Sequence, residues 1–197
     1  MSINRGIILI LSLLLAYSTD VLTPYQDRLA AESIIDPTSS LSNPSNFSTY
    51  ENSSFGIKML YPSDWKKIED FRGTWFRNSN ESINVRVESI PYPNGELKEL
   101  TSRQINLTRQ QFPGQAITEL NSTTFLDDYP AHKIVFTFPE EPSDLQGLQY
   151  KEMQVWSTRD GRAYIISYFT TTDAYDIYLP IIKKIIDSFE IIRGKNK

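Results

Sequence analysis

The sequence predicts an α+β domain, an antiparallel sheet with helices packed on its faces. Three observations carry that prediction. Asp160-Gly161 stands between two apolar runs, with Met153, Val155 and Trp156 before it and Ala163-Tyr-Ile-Ile-Ser-Tyr-Phe169 after it. Asp-Gly suits a two-residue hairpin turn with positive φ at both centres. Behind the hairpin, Ile181, Ile182, Ile185, Ile186 and Phe189 form a helical stripe that must lie on something, and the sheet just made is the nearest surface. No strand–helix–strand alternation repeats along the chain, which argues against a parallel doubly wound sheet.

From the N-terminus, Arg5 supplies a positive n-region, and Ile7 to Ala16 supplies roughly ten apolar residues, inside the ~7–15 of an export-signal core. Small residues at Ala16 and Ser18 predict cleavage after Ser18, so residues 1–18 read as a signal peptide. A spanning helix needs about 20 apolar residues, and Asp20 interrupts this run. The alternative is an uncleaved N-terminal anchor; either way the domain lies extracellularly or at the outer face of the cytoplasmic membrane. Residues 19–49 are rich in Ser, Thr, Asn, Pro and Asp, with one weak apolar patch at Leu29 to Ile35, and read as a disordered polar tether. The folded domain is predicted over 50–193, with a tail at 194–197.

Within the domain, Phe55 to Tyr61 is a strand stopped by Pro62, and Trp65 to Ile68 and Gly73 to Arg77 are two more. Ser82 to Ser89 alternates, with Ile83, Val85 and Val87 on one face and Asn84, Arg86 and Glu88 on the other. Strict period two predicts one buried face and one wet face. Glu96 to Phe112 is a helix whose Leu97, Leu100, Ile105, Leu107 and Phe112 fall within an arc of about 160°, stopped by Pro113-Gly114. Ala116 to Phe125 is a strand, Asp127 to Pro130 a turn, and Lys133 to Phe138 a strand. Pro139 to Gly147 is an acidic loop, followed by the hairpin of Leu148 to Thr158 and Ala163 to Thr170. The last helix is predicted to begin in earnest at Pro180, where proline is tolerated in a first turn, with Asp173 and Asp176 just upstream.

At 197 residues and 40% apolar content the chain can build one ordinary core. A net charge of −4 implies no basic field for nucleic acid. The absence of cysteine excludes disulfides, thiolate metal sites, thiol catalysis and a cysteine-borne lipid anchor. With His132 as the single histidine, a multi-histidine metal site is impossible. Five N-x-S/T sequons, at Asn46, Asn52, Asn80, Asn106 and Asn121, fit an exported chain in an N-glycosylating host such as an archaeon. Asn106 sits on the solvent side of its predicted helix, where a glycan would not disturb packing.

The layout and several words within it resemble the PsbP family, the relatives of the extrinsic lumenal protein of photosystem II. The matching residues are Phe55-Gly-Ile-Lys-Met-Leu-Tyr-Pro62 with Trp65 after it, Tyr129-Pro-Ala131 ahead of a strand, Asp160-Gly-Arg-Ala-Tyr164, and Asp187-Ser-Phe189 closing the last helix. The resemblance spans about Tyr50 to Ile192. The resemblance implies an α/β/α sandwich around a central antiparallel sheet of about six strands, and a protein that binds and stabilises larger assemblies rather than one that catalyses; some members are implicated in metal handling. The polar tether matches no family motif, so no photosystem role is carried over.

Candidate chemistry is sparse. Asp127, Asp128 and His132 could together hold a divalent cation, or be ordinary turn residues before a strand. Glu140, Glu141 and Asp144 are the carboxylates for a glycoside-type hydrolase, or a solvated acidic loop. Trp75, flanked by Arg72, Arg77 and Asn78, is a candidate aromatic platform. With Asn84, Arg86 and Glu88 it makes the expected binding face. The reading is an exported, non-enzymatic binding or assembly module without a cofactor, its partner an envelope or membrane-complex protein, and its contact with membrane confined to the N-terminal segment. A carboxylate-only hydrolase and a small-ligand carrier are the alternatives.

Overall fold

The computed structural model describes residues 46–79, 82–93, 95–138 and 149–192. The predicted signal peptide, nearly all of the predicted tether, the tail, and Glu140, Glu141 and Asp144 lie outside the described residues.

The main sheet has seven strands where about six were expected. From one edge to the other they are β3 (Lys66–Glu69), β4 (Gly73–Arg77), β5 (Asn84–Pro91), β9 (Arg162–Thr171), β8 (Tyr150–Arg159), β7 (Tyr129–Thr137) and β6 (Ala116–Leu126). Every neighbouring pair is antiparallel. The β8–β9 hairpin closes where the sequence places it: Arg159 pairs with Arg162, and Asp160 and Gly161 take φ of 49° and 73°. The β6–β7 hairpin turns on Asp127 and Asp128, also at positive φ, 51° and 60°.

A smaller sheet, with order β1 (Phe47–Asn52), β2 (Ile57–Pro62), β10 (Glu190–Ile191), was not foreseen. Its first strand takes in the last residues assigned to the tether. Phe47 already pairs with Pro62, and Tyr50 is buried with its hydroxyl 2.7 Å from Thr74 Oγ1.

Each face of the main sheet carries one helix. On one face, α2 (Thr172–Asp187) and the small sheet enclose the larger core, in which Phe76, Val85, Val87, Ile166 and Tyr168 meet Ile57, Met59, Ile182 and Ile185. On the other, α1 (Leu97–Gln111) sets Leu100 over Ile134, Phe136, Trp156 and Ile165, with Phe112 just past its end. The last helix begins at Thr172, not Pro180, which lies inside it. Tyr175 is buried ahead of the proline and Ile182 and Ile185 behind it, so packing on both sides holds the helical path through a residue that breaks a backbone hydrogen bond.

Candidate binding face

α1 covers the β7–β8 half of its face. On the β3–β4–β5 half, the outward side chains include Trp75 together with polar and charged residues, Arg77, Asn84, Arg86 and Glu88 among them. The strand alternation places Asn84, Arg86 and Glu88 opposite Val85 and Val87, as the sequence indicates, but the wet face it implied is not wet. Arg86 is 2% exposed and Glu88 5%, while Asn84, Trp75 and Arg77 are half-buried. The alternation was right and the inference from it wrong, because polar residues that satisfy one another can be buried on both sides of a sheet.

Arg86 organises the layer. Its Nη1 and Nη2 donate to Asp70 Oδ2 and Oδ1 at 2.8 and 3.2 Å, a bidentate fork. Its Nε lies 3.2 Å from Glu88 Oε1, an ion pair whose N–H is not aimed along the contact, and Arg72 Nε is 3.8 Å from the same oxygen. The guanidinium also faces the Trp75 ring at 4.7 Å, with that of Arg77 at 5.2 Å. Burial acts to raise the Asp70 carboxyl, but the Arg86 fork and the Arg72 and Gly73 amides outweigh it and hold the group below its usual value. For Glu88 burial wins over the two arginines, and its pKa is raised.

Asp70 has a second task. Its Oδ1 accepts the backbone N–H of Arg72 at 2.8 Å and of Gly73 at 3.0 Å, so the carboxylate that clamps Arg86 also folds the β3–β4 turn. Gly73 is needed next, because a Cβ there would run into the Val87 carbonyl of the neighbouring strand. Phe71 is left at the tip of this braced turn, 75% exposed. Composition gave no reason to single out Phe71; the legible signal was Asp-Phe-Arg-Gly between two short strands, a turn with Asp at its head.

Further along the face, Glu152 on β8 is 5% exposed and accepts Gln154 Nε2 at 2.7 Å, while Gln154 Oε1 has no partner among the described residues. Burial, with Glu88 adding to it, raises the Glu152 carboxyl to about 7 against the Gln154 hydrogen bond. Glu152 drew no attention in the sequence because it occupies a regular polar position in a strand.

The proposed metal ligands are separated. Asp127 Oδ2 accepts the Ile191 N–H at 2.8 Å and ties the β6–β7 turn to β10. His132 faces α1, its Nδ1 2.7 Å from Thr101 Oγ1, the oxygen that also accepts Trp156 Nε1 at 2.8 Å. Among the described residues no three His, Asp or Glu side chains gather as a metal site. Of the sequons, Asn46 and Asn106 are exposed, Asn52 and Asn121 are half-buried, and Asn80 lies outside the described residues. No helix among the described residues is long and apolar enough to cross a membrane.

The fold is similar to those of several solved structures. Cyanobacterial PsbP (CyanoP) from Synechocystis sp. PCC 6803 is 14% identical, covering 74% of this chain and 92% of its own, with a TM-score of 0.57. The Ran-binding protein Mog1p of Saccharomyces cerevisiae is 9% identical, covering 75% of this chain and 96% of its own, with a TM-score of 0.55. The sequence matches no curated protein. The family model described as PsbP-like protein matches residues 6–191, and the chain therefore belongs to the PsbP-like family.

Proposed function

We propose that this chain is an exported, non-enzymatic assembly module at the cell envelope, and that it engages a protein partner through the β3–β4 turn and the adjoining Trp75 face. The observation that carries the reading is Phe71, a large apolar side chain 75% exposed on a turn that the Asp70–Arg86 fork makes rigid. An aromatic carried on backbone that is fixed before contact costs less entropy on binding than one on a loose loop, which suits an interface anchor. Arg86 and Glu88 then brace the surface instead of touching the partner. A similar fold serves Mog1p, which is named for binding Ran. The apolar run from Ile7 to Ala16 supports export.

Crosslinked pull-down from native envelope extract, with wild type and Phe71→Ala side by side, tests the contact. One stoichiometric partner is expected with wild type and not with the variant, at equal thermal stability. Equal recovery by both proteins, or recovery by neither, rejects the reading. Mass spectrometry of the mature N-terminus tests export separately, with Thr19 as the expected first residue.

A further inference from the structure

The two edges of the main sheet are protected differently. β3 is short and carries exposed Lys66 and Lys67, side chains that discourage pairing with another strand. β6 runs for 11 residues, with no lysine, arginine or proline. Its single charged residue, Glu119, is neutralised by Lys133 at 2.6 Å, and Leu120 and Phe125 are 57% and 62% exposed. No strand among the described residues pairs with its outer side. Its register breaks between Asn121 and Thr124, so a bulge lies at the Asn121-Ser122-Thr123 sequon.

We infer that Asn121 carries an N-linked glycan, and that the glycan covers the β6 edge. Asn121 Oδ1 accepts both the Thr123 N–H at 2.8 Å and the Thr123 hydroxyl at 3.0 Å, at the exposed surface. Both bonds fall on the oxygen, so Nδ2 is left without a hydrogen bond among the described residues. The hydroxyl that defines the motif donates to the amide oxygen and so makes the Nδ2–H more acidic, which eases loss of its proton in the transfer. In the transfer, Nδ2 attacks C1 of a glycan carried on a polyprenyl diphosphate. The N–C1 bond forms as C1–O breaks, the lipid diphosphate leaves with the bonding electrons, and the amide proton passes to a base of the transferase.

The other described sequons are less suited once the chain has folded. Thr108 of the Asn106 motif is fully buried, with its hydroxyl donating to Gln104 O. Asn52 Oδ1 accepts the Phe55 N–H, as Asn121 accepts that of Thr123, but no hydroxyl of its own motif. Ser48 of the Asn46 motif spends its hydroxyl proton on Ser63. The inference rests on the export reading for where donor and chain would meet, but its test does not.

The folded full chain is incubated with a purified oligosaccharyltransferase and a polyprenyl-diphosphate-linked oligosaccharide, and the modified sites are mapped by peptide mass spectrometry. Modification is expected at Asn121, kept in Thr123→Ser and lost in Thr123→Ala. Asn121 left bare, whether or not another sequon is modified, overturns the assignment. Light scattering then compares the bare and glycosylated chains across concentration. Self-association confined to the bare chain supports edge capping, and the same association state in both overturns it. A cytosolic, uncleaved chain in the native cell would end the export reading without changing either result.

Discussion

Arg86 is the residue on which the polar layer turns, and its removal should be costly for a reason that counting ion pairs would miss. A surface pair is worth little, but here the arginine is almost fully buried and Glu88 beside it is too. Arg86→Ala strands Glu88 and slackens the Asp70 turn, and should cost about 3–5 kcal/mol in urea unfolding. Asp70→Asn keeps an oxygen for the Arg72 and Gly73 amides and should cost less, about 1–3 kcal/mol. Equal losses would mean that the Asp70–Arg86 charge pairing, and not the stranding of Glu88, carries the cost. Glu152 gives the molecule a pH dependence of unusual sign. Its folded pKa of about 7 lies above the ordinary 4.5, so the folded state holds the proton more tightly. That contribution is complete below 4.5 and is lost as pH rises through about 7. Glu152→Gln removes the titration and supplies an amide N–H for the idle Gln154 oxygen, so at pH 8 the variant should be more stable than wild type, by roughly 3 kcal/mol at most. His132 acts oppositely: burial lowers its pKa below 6.5, so its contribution is present above 6.5 and declines as pH falls below it. Denaturation midpoints from pH 4 to 9 for wild type, Glu152→Gln and His132→Gln separate the two slopes.

At the scale of the element, the two hairpin turns of the same backbone type make a matched test. Gly161 adopts φ of 73° without a side chain, whereas Asp128 adopts 60° with one. Gly161→Ala should lose about 1 kcal/mol and Asp128→Gly should gain a few tenths or more, read as opposite shifts in thermal midpoint. Asp160-Gly161 was legible because its composition matches its geometry; Asp127-Asp128 was legible only as a turn, since its aspartates first suggest ligands. Helix α2 shows the complementary failure. Pro180 looks like a first-turn residue, and the apolar stripe after it looks self-sufficient. The preceding two turns are held by Tyr175, whose burial under Lys151 and against Tyr168 is a tertiary matter. Pro180→Ala should therefore stabilise the domain, by about 1–3 kcal/mol, since the helix already follows a path the proline resists.

For the whole molecule, the layer order and the antiparallel character were readable because period-two strands and two amphipathic helices leave few ways to bury their faces. The small sheet was not readable. β10 is two residues long, and β1 begins in a stretch whose composition is that of a linker. What makes them strands is the partner β2, which is distant from β10 in sequence and invisible to local pattern. The candidate face was half readable: the alternation that puts Asn84, Arg86 and Glu88 on one side of β5 was legible, and their exposure was not, because burial depends on what stands opposite. The two cores should also differ in cohesion. α2 is sealed by the small sheet, whereas α1 buries Leu100 and Thr108 on an otherwise half-exposed face. Amide hydrogen exchange should show α1 opening before α2 and before β5, β8 and β9; equal protection in both helices would contradict that order. The small sheet has a further consequence for how the protein is made. It joins β1, from the start of the domain, to β10, from its end, across β2. A growing polypeptide cannot complete that closure until residue 191 has left the ribosome, so the domain locks only after all its other strands have been made, and a chain cut short before β10 should unfold at a lower urea concentration than one that includes it.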